Sequence, residues 1–366
     1  MIDNNIKRPV ILIAVVAALF LALIIFLNGT KSGNNYMINT KGEIISRGSY
    51  RCSTLNENGF VSVTYENRWP SWTPFYRLIT GIIGNDGNYI VKPKYYKNGD
   101  VSLYGDSFAV QSDNAILTIL FLDEKGVYYK VPENTFVRAN YLNFDAFPFV
   151  DMAPFQEWKY GYMTTEGEVL SEPVFRWARE FSEDGLALVQ TDDLKYGYIG
   201  LDGEFKIEPR YKEAYSFSEG LAFTDEGYID IHGNVVIDRF SLGKNFSEGY
   251  ALVSQKENGA LGYIDKNGDA ITDFEYGYLS GDFKNGYARV EGVGDLAGKY
   301  GFIDSNGNMV IDMEFSDAGD FSKEGYAPVQ TQDGLWGYIK TDGSWYIEPQ
   351  YKNASNFENG VAMIQR

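Results

Sequence analysis

The chain has 366 residues, of which 50 are acidic and 32 basic, so its formal net charge is −18. This charge argues against nucleic acid as a partner, because phosphate contacts require clustered Lys and Arg. A single cysteine, Cys52, and a single histidine, His232, exclude an intrachain disulfide and a zinc site of four Cys or His ligands. Aromatic residues make up 16% of the chain, which indicates a folded protein rather than a disordered one.

The first predicted element is a membrane-spanning helix over residues 10–27. This run has no charged or polar side chain, and as a helix it rises about 27 Å, close to the thickness of the bilayer hydrocarbon. Lys7 and Arg8 precede it, so the positive-inside rule predicts a cytoplasmic amino terminus over residues 1–9 and an extracytoplasmic remainder. Residues 28–35 are then a linker. A cleaved signal peptide is the alternative, and it makes the protein secreted.

From residue 36 onward one unit repeats, and it is clearest in residues 186–220. The unit contains an aromatic–glycine–aromatic step, a glycine turn, an Ile-Glu-Pro-x-Tyr segment and a closing Phe-Ser-Glu-Gly. The turn glycines are Gly42, Gly87, Gly126, Gly167, Gly203, Gly233, Gly268, Gly307 and Gly343. They predict about nine copies, which are degenerate in residues 36–157 and clear in residues 158–366.

Within one unit the pattern predicts three short strands and a helical turn. Residues 186–190 and 195–199 have the composition of strands joined by a hairpin connection, and a third strand follows. Tyr211, Ala214 and Phe217 are three positions apart, a spacing typical of a single helical turn. One unit cannot bury its aromatic face alone, so we expect an all-β array of stacked units.

The glycine between two aromatic residues, as in Tyr196-Gly197-Tyr198, has no side chain. We therefore expect another backbone segment or ring to approach it closely. By the same argument, most of the Tyr and Phe side chains are core residues rather than ligand contacts.

The Trp336-Gly337-Tyr338-Ile339 step, together with the Ile-x-Pro-x-Tyr and Phe-x-x-Gly-x-Ala segments, resembles the WG repeat, also called the KWG repeat. Most copies have Tyr in place of the Trp. The resemblance implies an all-β array of a kind found mainly in bacterial proteins, often with a secretion or membrane segment. It implies no enzymatic activity, and it brings no catalytic residue and no cofactor to this chain.

Two arrangements of such an array fit the sequence. One is a closed propeller, which usually has four to eight blades of four strands each. The other is an open curved solenoid, which the predicted three strands per unit and nine units favour. The chain ends on residues 360–364, the opening strand of a further unit, and the first unit at Tyr36 lacks that strand. The terminal strand therefore either completes the first unit and closes a ring, or caps the edge of the last sheet.

Two turns, residues 265–269 and 304–308, superficially resemble calcium loops. An EF-hand loop has its glycine at position six, whereas the glycine is fourth here, and Asn-Gly is a strong hairpin signal. We therefore expect hairpin turns and no metal site. His232 occupies the equivalent slot of another copy, so it is also predicted to be a turn residue.

The acidic pairs Asp192-Asp193 and Glu183-Asp184 raise the question of a glycoside hydrolase. That chemistry needs two carboxylates facing each other across a cleft, whereas acidic residues in repeated turns are more simply solvated. A hydrolase is therefore a weaker hypothesis than the two binding functions considered next. The single cysteine, Cys52, is expected to pack as a small apolar side chain.

The tryptophans offer a further hypothesis, because aromatic rings can stack on sugars. They are Trp69, Trp72, Trp158, Trp177, Trp336 and Trp345. We expect a non-catalytic, extracytoplasmic binding or scaffold protein whose repeat surface takes a protein or peptide, the usual role of solenoids. A module that binds the cell wall or another polysaccharide is the alternative. The predicted partners are thus the membrane, through residues 10–27, and either a protein or a cell-wall polymer.

Overall fold

The computed structural model describes residues 35–47, 61–68, 76–84, 88–94, 101–104, 107–111, 117–121, 127–130, 135–137, 146–151, 159–164, 168–255 and 261–366. The predicted membrane helix over residues 10–27 lies outside this part of the chain, as do Cys52, Trp69, Trp72 and Trp158. Within the described part, no helix is both long enough and apolar enough to cross a bilayer.

The described residues form 32 strands and one short 3₁₀ helix, Gly294–Leu296. The first sixteen strands are β1 (Asn35–Asn39), β2 (Ile44–Arg47), β3 (Val61–Arg68), β4 (Tyr76–Ile83), β5 (Tyr89–Lys94), β6 (Val101–Tyr104), β7 (Ser107–Gln111), β8 (Leu117–Phe121), β9 (Val127–Lys130), β10 (Thr135–Val137), β11 (Ala146–Asp151), β12 (Lys159–Thr164), β13 (Val169–Phe175), β14 (Trp177–Phe181), β15 (Leu186–Gln190) and β16 (Tyr196–Gly200). The others are β17 (Phe205–Tyr211), β18 (Leu221–Thr224), β19 (Gly227–Asp230), β20 (Val235–Ile237), β21 (Phe240–Gly243), β22 (Tyr250–Gln255), β23 (Leu261–Asp265), β24 (Tyr287–Glu291), β25 (Tyr300–Asp304), β26 (Met309–Phe315), β27 (Asp317–Ala318), β28 (Tyr326–Gln330), β29 (Trp336–Lys340), β30 (Trp345–Tyr351), β31 (Asn353–Ala354) and β32 (Val361–Gln365).

These strands pair antiparallel in nine sheets of the described chain. Eight sheets are consecutive in sequence, namely β3–β5, β6–β9, β10–β13, β14–β17, β18–β20, β21–β23, β24–β26 and β27–β30. From β10 onward each sheet shares a cluster of buried side chains with the next. Earlier in the chain, β3 and β4 contact β6, and β8 contacts β10.

The ninth sheet joins the two ends of the described chain. Its strand order is β2-β1-β32-β31, and Met37 of β1 lies opposite Met363 of β32. Both methionines are buried and pack against Ile83 of β4. On the other side, Tyr346 of β30 donates a hydrogen bond from its hydroxyl to the carbonyl of Thr40. The terminal strand therefore pairs with the first unit, and the circuit of sheet contacts returns to its start.

The predicted helical turn is wrong, because none of these segments is helical in the described chain. Residues 212–217 have only one isolated bridge, from Ala214 to Thr224, and the equivalent residues Trp177–Phe181 form an extended edge strand. In β14, Ala178 lies opposite Val189 while Phe181 lies opposite Ala187, so three steps on β14 match two on β15. A β-bulge of this kind brings residues three apart onto one face without a helix. The equivalent segments are β27 and β31. Five of the described sheets have four strands rather than the predicted three, and in three of these the edge strand is β14, β27 or β31.

As expected, another backbone segment approaches the glycine of the aromatic–glycine–aromatic step closely. The approach occurs at a second β-bulge, in the neighbouring strand. Tyr196 and Tyr198 of β16 lie opposite Tyr211 and Ile207, so two steps on one strand match four on the other. A Cβ on Gly197 would come within 2.8 Å of the Ile207 carbonyl oxygen. The bulge crosses so close to β16 that no side chain fits between them.

The aromatic core is divided among the interfaces between sheets, as the repeat pattern predicts. At one interface, Tyr198 and Phe217 are buried together with Ala222 of the next sheet. The Tyr198 and Phe217 ring centroids are 4.7 Å apart and the ring planes are inclined at 62°, an edge-to-face arrangement favoured by the charge distribution of aromatic rings. The alanine that opens each unit is therefore a packing position, since a larger side chain would displace the ring above it.

The buried tyrosines also make a recurring hydrogen bond. The Tyr198 hydroxyl donates to the carbonyl of Tyr215, at 2.8 Å. The same bond runs from Tyr162 to Arg179, from Tyr228 to Lys244, from Tyr263 to Gly281 and from Tyr338 to Ser355. Burial raises the pKa of the Tyr198 hydroxyl well above its usual value, so this group stays a neutral donor. Each bond fixes the segment that leads into the next sheet.

We predict that Met37→Cys with Met363→Cys, in a Cys52→Ser background, forms a disulfide under mild oxidation. Directly opposed residues of an antiparallel pair have Cα atoms about 4.5–5.5 Å apart, within the range of a disulfide. The cross-link should increase mobility in a non-reducing gel and raise the unfolding free energy by up to about 5 kcal/mol. The control pair Met37→Cys with Ala362→Cys should not react, because neighbouring strand residues face opposite sides. Equal reaction of both pairs would contradict the β1–β32 register.

We predict that Tyr198→Phe lowers the unfolding free energy by about 1–2 kcal/mol, because the Tyr215 carbonyl loses its donor while the packing is retained. Urea unfolding measures the loss. Tyr215→Phe is the matched control, since that side chain is 47% exposed, and it should change the free energy by less than about 0.5 kcal/mol. Equal effects of the two substitutions would show that the buried hydroxyl does not stabilise the fold.

Candidate binding site

The Phe-Ser-Glu-Gly segments are tight two-residue turns at one end of the sheets. In the first complete one, Glu219 and Gly220 have φ angles of 54° and 87°. Both central residues of a type I′ turn need positive φ, which suits Asn-Gly, as at Asn285-Gly286. Glutamate is strained in this conformation, so its presence at two of these turns, Glu219 and Glu248, requires another explanation.

The glutamates tie each turn to the next one. Glu248 accepts hydrogen bonds from the backbone N–H groups of Asn285 and Gly286, both at 2.7 Å, and Glu219 likewise accepts one from Gly249 at 2.9 Å. The adjacent serine adds a second link, since the Ser247 Oγ donates to the carbonyl of Phe283 at 2.7 Å. Successive turns therefore form a continuous, rigid end surface.

Four successive turns enclose a cavity of about 230 Å³. Its walls are residues 247–248, 283–285, 320–324 and 356–359, so every wall is the equivalent loop of a different sheet. Three phenylalanines contribute apolar surface, and the remaining lining is polar or charged. A concave site with convergent polar groups on a rigid frame is the usual form of a small binding site.

Charges in the cavity are paired across sheets. Lys284 lies 3.1 Å from an Asp320 carboxylate oxygen, and the Asp320 backbone N–H donates to the Asn356 side-chain oxygen at 3.1 Å. Burial lowers the pKa of Lys284, but the combined attraction of Asp320, Glu358 and Asp282 outweighs it and raises the pKa overall. Asp282, beside this pair, has its pKa raised by burial, although Lys244 opposes the shift.

These bonds determine what the cavity can do. The carboxylates of Glu248 and Asp320 are engaged in turn bonds and an ion pair, so they do not form a free acid–base pair. At the rim, Lys323 is exposed, while Ser322 is buried and its Oγ has no hydrogen-bond partner in the described part of the chain. The arrangement suits recognition by polar contacts.

Sequence reasoning missed the polar residue that precedes the phenylalanine of each of these four turns. The set comprises Asn245, Asp282, Asp320 and Asn356, all half-buried in the structure. The signal was available, because an Asn or Asp stands directly before the Phe in four successive copies. Only the structure shows that members of this set meet, as Asp320 and Asn356 do.

The turns that resemble calcium loops are closed by their own backbone. The first aspartate of one, Asp304, accepts hydrogen bonds from the N–H groups of Asn306 and Asn308, both at 2.9 Å. His232 lies in the equivalent exposed turn, and its N–H bonds to Asp230 at 2.9 Å. Among the residues that the structure describes, no group of three or more His, Cys, Asp or Glu side chains is placed to hold a metal ion.

The acidic pairs do not converge on a cleft. Asp192 forms an ion pair with Lys159 of the preceding sheet, and Asp193 accepts a hydrogen bond from the Thr191 hydroxyl. Glu183 and Asp184 belong to the turn between β14 and β15, whereas the first pair lies between β15 and β16. The two pairs therefore lie in connections at opposite ends of β15.

The three tryptophans in the described region pack between sheets. Trp177 is edge-on to Tyr196, with ring centroids 6.1 Å apart, and Trp345 is edge-on to Phe315 at the same distance. Trp336 packs against the cluster that joins the last two sheets. All three are only half-exposed and belong to different interfaces, so they do not form one stacking platform for a sugar chain.

An all-β protein built from repeated small sheets is thus the class that the fold defines. The sequence model of the WG containing repeat matches residues 160–194, 196–224, 227–258, 262–295, 300–336 and 336–366, and the chain belongs to this family. No curated protein matches the sequence.

Several solved structures are similar to the chain. BamB from Moraxella catarrhalis is 10% identical, with 79% of this chain and 91% of that chain covered and a TM-score of 0.35. The β-propeller domain of the Trilobed protease from Pyrococcus furiosus is 14% identical, with 83% and 98% covered and a TM-score of 0.39. The acylaminoacyl peptidase of Pyrococcus horikoshii is 13% identical, with 84% and 50% covered and a TM-score of 0.40.

We predict that Asp230→Ala lowers stability at pH 7 by about 1 kcal/mol, since two backbone N–H groups lose their acceptor. Asp230→Asn should cost less, because Asn39 accepts the same two bonds in the equivalent turn of the first unit. Hydrogen bonds from Asn234 lower the pKa of Asp230. The contribution of the ionised Asp230 side chain to stability is therefore complete above the pKa of the unfolded state, about 3.9. It is lost as the pH falls through the lower pKa of the folded state.

Urea unfolding at pH 7 and pH 3 measures both effects, and the difference between wild type and Asp230→Asn should shrink at the lower pH. Added calcium should leave the thermal midpoint unchanged. A calcium-dependent rise in the midpoint that Asp304→Asn abolishes would contradict the assignment of these loops as turns.

Proposed function

We propose that the nine sheets are nine WG-type repeats arranged as a closed, propeller-like ring, including three degenerate copies in residues 36–157. The pairing of β1 with β32 supports this arrangement. The contacts from each sheet to the next also support it. In a ring the only free sheet edges are short, which protects an all-β protein from edge-to-edge association.

Within this arrangement we infer a non-catalytic binding scaffold that holds a segment of a protein partner. The observation that carries the proposal is the cavity whose four walls are equivalent turns of four successive sheets. The Glu248 and Ser247 bonds fix the first two of these turns to each other. Asn285 then donates to the Phe321 carbonyl, and the Asp320 N–H donates to the Asn356 side chain. A rigid concave surface built from repeats binds extended partners with little loss of entropy in the scaffold.

We further propose that residues 10–27 anchor the chain in the cell membrane with the repeats on the extracytoplasmic side. The apolar run and the preceding Lys7 and Arg8 support this topology. The net charge of −18 would keep the repeats away from an anionic bilayer surface, leaving the cavity accessible. A secreted form after signal cleavage presents the same surface.

One labelling experiment tests both the location and the partner. Lys323, at the exposed rim of the cavity, is changed to Cys in a Cys52→Ser background of the full chain. Intact cells are treated with a membrane-impermeant maleimide that carries a photoreactive group, and are then irradiated. We expect labelling without lysis, followed by a cross-linked polypeptide of defined mass that mass spectrometry identifies.

Asp333→Cys is the matched control, because Asp333 is equally exposed but lies in the connection after β28, at the opposite end of the same sheet. It should be labelled without giving that polypeptide adduct. Labelling only after lysis would overturn the location. An adduct that carries wall glycan would favour the polysaccharide module. Identical adducts from both positions would exclude the cavity as the site.

A further inference from the structure

The sheet β24–β26 differs from its neighbours in the segment that enters it. Phe283 follows Tyr276 by seven positions, whereas Phe217 follows Tyr211 by six. Tyr276 is held by backbone hydrogen bonds to Leu261, and the carbonyl of Gly281 is held by the Tyr263 hydroxyl at 2.6 Å. The extra residue must therefore bulge outward between these two fixed points.

The bulge exposes two large apolar side chains. Tyr278 is 66% exposed and Leu279 is 57% exposed, and Tyr278 is the most exposed large apolar residue in the described part of the chain. The bulge is nevertheless ordered by hydrogen bonds. The Leu279 N–H donates to a carboxylate oxygen of Glu291 at 2.9 Å, and Arg289 donates to the Leu279 carbonyl at 3.2 Å.

The same sheet has a second departure from the repeat at the far end of β24. The connection from β24 to β25 contains the 3₁₀ helix Gly294–Leu296, in place of the tight turn that joins β15 to β16. Val293 is 49% exposed and Leu296 is 45% exposed. This longer connection adds two more exposed apolar side chains.

The two departures meet at Glu291. Its carbonyl accepts the Gly277 N–H at 2.9 Å while its carboxylate accepts that of Leu279, and Val293 follows two residues later. The bulge is therefore joined through Glu291 to the start of the Val293–Leu296 connection, and we call the exposed residues Tyr278, Leu279, Val293 and Leu296 together the Tyr278 patch. Bulges and long loops on a rigid scaffold are where proteins commonly place binding residues.

The border of the Tyr278 patch is acidic. Asp273, Glu275 and Asp295 are exposed beside it. The nearby basic residues are half-buried rather than exposed. Lys244 donates to the Ser280 carbonyl at 2.8 Å, Arg289 donates to backbone carbonyls, and the Lys299 carbonyl accepts the Gly292 N–H within the connection itself. The Lys244 ammonium lies 6.0 Å from the centre of the Tyr278 ring, so this ring already accepts a cation on part of its surface.

We propose that the Tyr278 patch docks a basic peptide segment of a protein partner, in which Arg or Lys alternates with large apolar residues. The apolar side chains would cover Tyr278, Leu279 and Leu296, and the cations would face the carboxylates of Asp273, Glu275 and Asp295. Charge complementarity carries the choice of partner, because the acidic border attracts a basic segment and repels an anionic membrane. This surface is distinct from the cavity, which lies at the other end of β24.

The test measures fluorescence anisotropy of labelled peptides with the full chain in detergent. The probes are three twelve-residue peptides that alternate Arg with Leu, Arg with Ser, and Glu with Leu. We expect the Arg/Leu peptide to bind at least tenfold more tightly than either of the others. Tyr278→Ser combined with Leu279→Ser should weaken its binding at least tenfold, with an unchanged unfolding midpoint in urea.

Two controls separate this docking from general attraction to an acidic protein. Tyr278→Phe keeps the ring and should bind within twofold of wild type. Val235→Ser combined with Val236→Ser removes an exposed apolar pair elsewhere and should also have no effect. Equal binding of the Glu/Leu peptide, or binding that survives loss of Tyr278 and Leu279, would overturn the proposal. Displacement of the peptide by soluble short-chain phosphatidylglycerol would assign the patch to lipid instead. None of these outcomes bears on the cavity.

Discussion

No single sheet of this protein can bury its own aromatic face, and this constraint underlies the rest of the structure. The Tyr198 ring is buried in a cluster that includes Ala222 and Ile229 of the next sheet. The hydroxyl of the same residue holds the Tyr215 carbonyl, on the segment that leads into that sheet. One side chain thus supplies both the apolar surface between two sheets and the bond that positions the second sheet. A unit removed from the array would expose this ring and leave the carbonyl unpaired, so stability must depend on neighbouring units.

Local features of the repeat are predictable from sequence wherever a single residue type has only one physical role. Gly197 is such a case, because a close backbone approach requires the absence of a side chain. The segment ending at Phe181 shows the opposite situation. Both a helical turn and a bulged strand bring every third residue to one face, and only the partners Val189 and Ala187 distinguish them. Those partners lie beyond the segment itself, so its spacing could not settle the question.

The pairing of β1 with β32 and the cavity are harder to predict because they depend on residues far apart in the chain. Nothing local to Met37 or Met363 specifies that the two lie opposite each other. Likewise, each Phe-x-x-Gly turn is an ordinary hairpin by itself, and the ion pair of Lys284 with Asp320 exists only when two turns lie side by side. One local signal did point beyond the turn. A glutamate at a position that favours Asn is strained unless its side chain has a partner elsewhere, and Glu248 has that partner in the next turn.

A scaffold fixed at so many points determines where variation can be accommodated. In the segment before β24, the Tyr263 hydroxyl holds Gly281 and the Leu261 backbone holds Tyr276, so an added residue cannot shift the sheet or slip its register. It can only extend outward, and it then exposes Tyr278 and Leu279 at a defined place. The bonds that make the repeats uniform are thus the reason that a departure from the repeat becomes a surface feature. A protein of this family can therefore acquire a specific docking surface in one repeat while the remaining repeats keep the frame rigid.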